Sequence, residues 1–186
     1  MAKLYFKFGA MGCSKTAQAL ITKFNYEERG MKVLLLKPSV DVRDGEEIVK
    51  SRIGLTAKAV VVNDKEDLYK AYEEKYRDRD VIIVDECQFL TPEQVDELGQ
   101  IVIDFNVPVL CFGLRTDFLT HLFPGSRRLF EIAESITEIK SVCKCGAKAT
   151  VNARLDDDGN VVYSGEQVCL CLLYTSPSPR DRSLSR

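Results

Sequence analysis

Phe8-Gly9-Ala10-Met11-Gly12-Cys13-Ser14-Lys15-Thr16 stands between a short apolar run, Leu4-Tyr5-Phe6-Lys7-Phe8, and a helical pattern that begins at Ala17. From Gly9 it reads Gly-x-x-x-x-Ser-Lys-Thr, a P-loop with one glycine replaced. In such a loop the backbone N–H groups at a helix N-terminus wrap an anionic phosphate. Lys15 then reaches the β- and γ-phosphates, and the Thr16 hydroxyl holds Mg²⁺. Gly9, Ala10, Met11, Gly12, Cys13, Ser14, Lys15 and Thr16 are therefore the candidate nucleotide cradle. The plain alternative is a glycine-rich strand–helix turn with an accidental Lys-Thr. Against it stands a second element, Val81-Ile82-Ile83-Val84-Asp85-Glu86, an apolar strand ending in two carboxylates. P-loop enzymes place a carboxylate there for the metal, and a neighbour can act as base.

Working outward, strand-like runs alternate with helical ones. Strands are predicted at 4–8, 32–37, 59–62, 81–84, 107–112 and 135–140, and helices at 16–29, 65–75, 91–106 and 126–133. Thr91-Pro92-Glu93-Gln94 offers an N-cap, a proline at the first helical position and a capping-box glutamine. Asn63-Asp64 offers an N-cap before an acidic first turn. Gly30 sits where a helix ends and a strand begins. Buried Val and Ile runs alternating with helices imply βαβ units, and so an α/β fold with a mostly parallel sheet flanked by helices, P-loop NTPase-like. Ligands in such sheets bind beyond the carboxyl ends of the strands, where both the Gly9 loop and Asp85-Glu86 fall.

The 186 residues carry 26 Lys+Arg against 28 Asp+Glu, a net charge of −2, so no basic surface argues for a nucleic-acid partner. No apolar run is long enough to span a bilayer, and the opening strand is not a signal peptide. The seven cysteines are odd in number, and Cys13, Cys87 and Cys111 lie in motifs or apolar strands. That usage fits reduced thiols in the cytoplasm. The predicted organisation is a nucleotide-binding domain over 1–140, a small β-rich appendage over 141–170 with a Cys143-Lys144-Cys145 knuckle, and a tail over 171–186. A turn is expected at 156–160. The tail is rich in Ser, Pro and Arg, a disordered composition.

Six ordered motifs resemble one family: Gly9-Ala10-Met11 with Lys15-Thr16; Asn25-Tyr26-Glu27-Glu28-Arg29-Gly30; Val84-Asp85-Glu86-Cys87-Gln88-Phe89-Leu90; Gly113-Leu114-Arg115-Thr116-Asp117-Phe118; the cysteine knuckle; and Asn152-Ala153-Arg154-Leu155. From residue 1 to about 168 the chain resembles bacterial type II thymidine kinases. The resemblance implies a P-loop domain with a zinc-bearing appendage, assembled as a homotetramer. It implies phosphorylation of the 5′-hydroxyl of thymidine to dTMP with ATP and Mg²⁺, the thymidine held largely by main chain of a lasso loop. By the same resemblance Glu86 is the general base and Asp85 serves Mg²⁺ with Thr16. Asp85, Glu86, Cys87 and Gln88 lie along the nucleotide, Gln88 touching it or neighbouring loops. Met11, Leu114 and Phe118 border the thymine. Phe89 reads as a core residue. Asp41-Val42-Arg43-Asp44-Gly45 with Ser51-Arg52 reads as a polar loop after the second strand, in which Arg43 suits phosphate oxygens, although a solvated loop arginine reads at least as well.

Three departures from the family pattern stand out. Ser14 replaces a glycine whose lack of Cβ permits close phosphate approach and positive φ. Cys143 and Cys145 supply two zinc ligands, but the family's distant Cys-x-x-His is absent; His121, the single histidine, reads as a surface residue, and Cys169 and Cys171 match by number, not by position. The tail reads as a non-native extension on a truncated frame, in place of the lasso. The alternatives to a working kinase are a folded but impaired remnant and another P-loop ATPase.

Overall fold

Aliphatic runs too short to be buried helices form the sheet, and the segments between them cover its two faces. The computed structural model describes residues 1–41, 47–143, 146–155, 161–162 and 173–176. β1 (Leu4–Phe8) leads into α1 (Lys15–Glu27), β2 (Val33–Pro38), a hairpin of β3 (Ile48–Lys50) and β4 (Thr56–Lys58), and β5 (Val60–Val62). Next come α2 (Leu68–Ala71), continued by a wider π turn over Tyr72–Tyr76, and β6 (Val81–Val84), followed by a 3₁₀ turn at Cys87–Phe89. α3 (Pro92–Phe105), β7 (Val109–Gly113), α4 (Pro124–Ile132) and β8 (Ser135–Glu138) complete the main layer. β9 (Ser141–Val142), β10 (Lys148–Ala149), β11 (Val151–Leu155), β12 (Val161–Val162) and β13 (Leu173–Ser176) form two small antiparallel sheets.

The main sheet has the order β5-β2-β6-β7-β1-β8, and every pairing in it is parallel. β6 is at most 1% exposed at each residue, as a strand covered on both faces must be. Leu4, Phe6, Leu34, Leu36, Ile82 and Val84 pack towards α2, α3 and α4. Leu35, Ile83, Leu110 and Phe112 pack towards α1 and the β3–β4 hairpin. The chain reverses direction across the sheet at β1: it crosses to β2 and β5, returns through β6 and β7, and places β8 on β1's other side. The carboxyl edge near β1 is thus the topological switch point, where an open α/β sheet leaves a crevice.

Local signals account for most boundaries. Thr91 accepts from Gln94 N at 3.2 Å and Gln94 Oε1 accepts from Thr91 N at 3.2 Å, the reciprocal capping box. Gly30, at φ 78°, donates to Glu27 O at 2.9 Å and closes α1. The Asn63-Asp64 cap is corrected. The N-cap of α2 is Asp67, whose carboxylate accepts from Lys70 N at 2.8 Å. Gln94 Nε2 donates to the carbonyls of Asn63 and Glu66 at 2.8 and 3.1 Å, so those groups are claimed by α3 and the helix starts later. Within the expected tail, Leu173–Ser176 pairs antiparallel with β11. Tyr174 and Thr175 favour extended backbone, a local preference that composition averaged over the tail conceals. The expected turn at 156–160, Arg43, Cys145, Cys169 and Cys171 lie outside the described residues.

Candidate active site

The loop after β1 builds the first half of the site. Gly9 N donates to Gly113 O at 3.3 Å, tying the ends of β1 and β7. A Cβ on Gly9 would sit 2.5 Å from both Cys13 Sγ and Ile139 O, so glycine is required for the loop to close. Gly12 and Ser14 both take positive φ, 79° and 63°. Ser14 is the N-cap of α1, yet its hydroxyl makes no capping hydrogen bond. It carries the cost of left-handed backbone without the benefit that makes serine a favoured cap. Lys15 is buried and its ammonium donates to Ala10 O at 3.0 Å, Gly9 O at 3.4 Å and Cys13 Sγ at 3.7 Å.

The end of β6 builds the second half. Asp85 is 3% exposed, and its Oδ1 is buried with no hydrogen-bond partner among the described residues. Burial pushes its carboxyl up to about 7, and the neighbouring Glu86 charge adds to the rise; the Thr16 hydroxyl and the Lys15 ammonium act against it. Those two influences show the P-loop and Asp85 meeting at one edge, with β7 between their strands. Glu86 holds φ 50°, ψ 38°, a left-handed backbone that non-glycine residues keep only where surroundings enforce it. Gln88 supplies part of that enforcement. Its Nε2 donates to Glu86 Oε2 at 2.6 Å, and its Oε1 accepts from Leu114 N at 3.0 Å. At 1% exposure Gln88 joins the carboxylate to the loop after β7, the neighbouring-loop half of the expectation for it. Cys87 is fully buried beside Cys111, and burial, then Cys111, pushes its thiol up.

Leu114 and Phe118 sit in the loop from β7 to α4, 8% and 5% exposed. That loop is closed on itself. Asp117 Oδ1 accepts from Leu119 N at 2.8 Å and His121 N at 2.9 Å, and Ser126 Oγ donates to Leu114 O at 2.5 Å. Phe89 is half-buried, edge-on to Phe123 at 5.6 Å.

A model of the thymidine kinase family matches residues 2–172. The chain belongs to the thymidine kinase family. The thymidine kinase of Enterobacteria phage T4 is 47% identical over 172 residues, covering 91% of this chain and 89% of its own length. That of Yersinia pseudotuberculosis serotype I is 45% identical over 172 residues, with 91% and 88% covered. That of Legionella pneumophila strain Lens is 44% identical over 176 residues, with 91% and 83% covered. Among solved structures, the Pif1 helicase of Candida albicans overlaps at TM-score 0.42 and 13% identity, covering 75% of this chain and 36% of its own, a likeness too low to carry an argument.

In this thymidine kinase family chain the appendage reaches into the site through a residue given no role from sequence. Asn152 on β11 is 4% exposed; its Oδ1 accepts from Met11 N at 2.8 Å, and its Nδ2 donates to Thr116 O at 3.3 Å. It fixes the P-loop backbone against the loop after β7. The available signal was its place in the Asn152-Ala153-Arg154-Leu155 run. Met11 itself is half-buried. Cys143 is half-buried at the start of the β9–β10 turn, where its N donates to Ala147 O at 2.8 Å. Among the described residues no group of three or more His, Cys, Asp or Glu side chains stands close enough to hold a metal ion. The described residues therefore do not complete a zinc site, and the structure does not bring His121 to it: that side chain is 78% exposed beside Asp117.

Proposed function

We propose that this chain transfers the terminal phosphoryl group of ATP to the 5′-hydroxyl of thymidine. The observation that carries the reading is the meeting of Lys15 and Thr16 with Asp85 and Glu86 at one sheet edge. Glu86 is the group assigned to take the hydroxyl proton, steadied by Gln88. Lys15 and the amides of residues 12–16 hold phosphate oxygens. Leu114, Phe118 and Met11 are assigned to the thymine, and Asn152 sets the Met11 backbone.

Thr16 and Asp85 fit Mg²⁺. A buried carboxylate oxygen without a hydrogen-bond partner, beside a threonine hydroxyl, lacks only a cation. Mg²⁺ keeps several waters and takes one or two carboxylates plus substrate phosphates, so this pair suffices. Bound there, the ion neutralises charge on the phosphoryl group. Cys143 and Cys145 are proposed as half of a zinc site, too few ligands for tight structural binding.

The reading extends to a homotetramer in the cytoplasm, with no nucleic-acid partner. Exposed Ile21 and Phe24, one turn apart on α1, support contact between copies, and the buried free thiols Cys13, Cys87 and Cys111 support a reducing compartment. No helix among the described residues is long and apolar enough to cross a membrane. The test is direct: incubate the purified chain with ATP, Mg²⁺ and thymidine and assay dTMP, with light scattering for assembly. ATP binding without dTMP formation refutes the kinase reading.

A further inference from the structure

The β3–β4 hairpin carries a cation to the P-loop. Its core side is anchored: Val49 is 3% exposed and packs in the same cluster as Cys13, Ala19 and Leu20. Lys37 Nζ donates to Ile48 O at 3.1 Å at the hairpin's start. The turn is closed by hydrogen bonds between Ser51 and both Leu55 and Gly54. Ser51 N donates to Leu55 O at 2.8 Å, Leu55 N to Ser51 Oγ at 2.9 Å, and Gly54 N to Ser51 O at 3.0 Å. Gly54 takes φ 90°, and Ser51 is 3% exposed. The backbone on either side of Arg52 is thereby held. Arg52 Nη1 stands 3.8 Å from the place a Cβ on Gly12 would occupy.

We propose that Arg52 is a phosphate-contacting residue of this site, its guanidinium closing over Gly12 to take phosphate oxygens of the nucleotide held in the loop. This rests on the reading of residues 9–16 as the ATP cradle. Arg52 makes no hydrogen bond or ion pair with any described residue. Among the described residues its guanidinium stands beside the Gly12 loop and pairs with no carboxylate. A nucleoside triphosphate also carries more negative charge than Lys15 and one divalent ion neutralise. The planar guanidinium fork matches two phosphate oxygens at once, which an ammonium cannot do. The site therefore has cations on two sides: Lys15 within the loop, and Arg52 from the hairpin outside it.

Calorimetric titration of the full chain with ATP, ADP and adenosine tests this, using Arg52→Ala and Arg52→Lys. Arg52→Ala should weaken ATP by about 10- to 100-fold, the worth of charge-assisted hydrogen bonds. Adenosine binding and the thermal midpoint should stay unchanged, because the side chain is exposed and the turn is closed by Ser51. Arg52→Lys should recover part of the loss, since charge remains and the fork is gone. Unchanged ATP affinity in Arg52→Ala overturns the proposal, as does an equal loss for adenosine, which would place the effect in the fold. The readout is separate from the kinase reading. Arg52-dependent ATP binding without dTMP formation would refute only that reading, and dTMP formation with ATP affinity indifferent to Arg52 would refute only this one. A chain that binds no ATP refutes both.

Discussion

Asp85→Asn should stabilise the metal-free protein at alkaline pH and abolish its response to magnesium. Asp85 is 3% exposed with an orphaned Oδ1, and burial, reinforced by Glu86, raises its carboxyl from 3.8 to about 7. The folded protein therefore holds a proton that the unfolded chain releases as pH climbs past about 4. Stability falls from there to about pH 7 and levels off above it, because ν for the native state exceeds ν for the unfolded state across that window. Asparagine keeps the shape and removes the charge. Its advantage should grow from under about 1 kcal/mol near pH 4 to about 2–4 kcal/mol at pH 8. The lower end applies to the extent that Glu86 shares the repulsion. Urea denaturation at pH 5, 6 and 8 in chelator measures it. Repeating it with Mg²⁺ should stabilise the parent and leave the variant unmoved, and dTMP formation should collapse in the variant. A gain that does not increase with pH, or a magnesium response in Asp85→Asn equal to the parent's, would falsify the assignment of Asp85 as a buried carboxylate awaiting a cation.

Glu86→Gln should lower single-turnover phosphorylation of thymidine by ~10²–10⁴-fold while leaving ATP affinity within a few-fold, since only proton removal is lost; equal rates in the two proteins rule Glu86 out as the base. Ser14→Gly should add up to about 1 kcal/mol of stability, because left-handed backbone costs serine about 1–2 kcal/mol and glycine's freer unfolded chain returns about 0.4–1. It should also tighten ATP by removing a Cβ from the cradle, and calorimetry showing a loss would mean the serine is accommodated. Asn152→Ala should cost about 1–3 kcal/mol in urea denaturation, leaving Met11 N and Thr116 O short of a buried partner, and should raise the KM for thymidine. An unchanged KM and unfolding midpoint would show that link to be idle.

Legibility in the sequence followed the physical origin of each feature. β6 falls at the position its unbroken apolar run indicates, because a strand buried on both faces is apolar at every residue, and β1 falls on the Leu4–Phe8 run despite Lys7. α3 begins where its capping box lies, since Thr91 and Gln94 satisfy each other locally. The β3–β4 hairpin leaves no signal in the sequence, because three-residue strands are too short to display a period. The helical segment expected over 65–75 starts instead at Leu68, capped by Asp67, and runs through its π turn to Tyr76, because Gln94, distant in sequence, takes the carbonyls of Asn63 and Glu66. The strand at Leu173–Ser176 was hidden by the composition around it.

The sequence by itself determined the class of chemistry. Gly9, Lys15 and Thr16 after one strand and Asp85-Glu86 after another are local patterns, and they point to the phosphate cradle and carboxylate pair proposed above. It also marked Ser14 as a departure, because the demand for positive φ belongs to the loop's own backbone. Only the tertiary structure decided what surrounds those groups. Asp85 has its carboxyl pushed up to about 7, with an Oδ1 that finds no partner among the described residues, because the strands beside it exclude water. Gln88 and Asn152 acquire their places from hydrogen bonds to Leu114 and Met11, 26 and 141 positions away in the chain, and the Arg52 guanidinium comes beside Gly12, 40 positions away. Such contacts arise when the sheet order sets distant loops at one edge, and no periodicity or spacing along the chain encodes which loops those are.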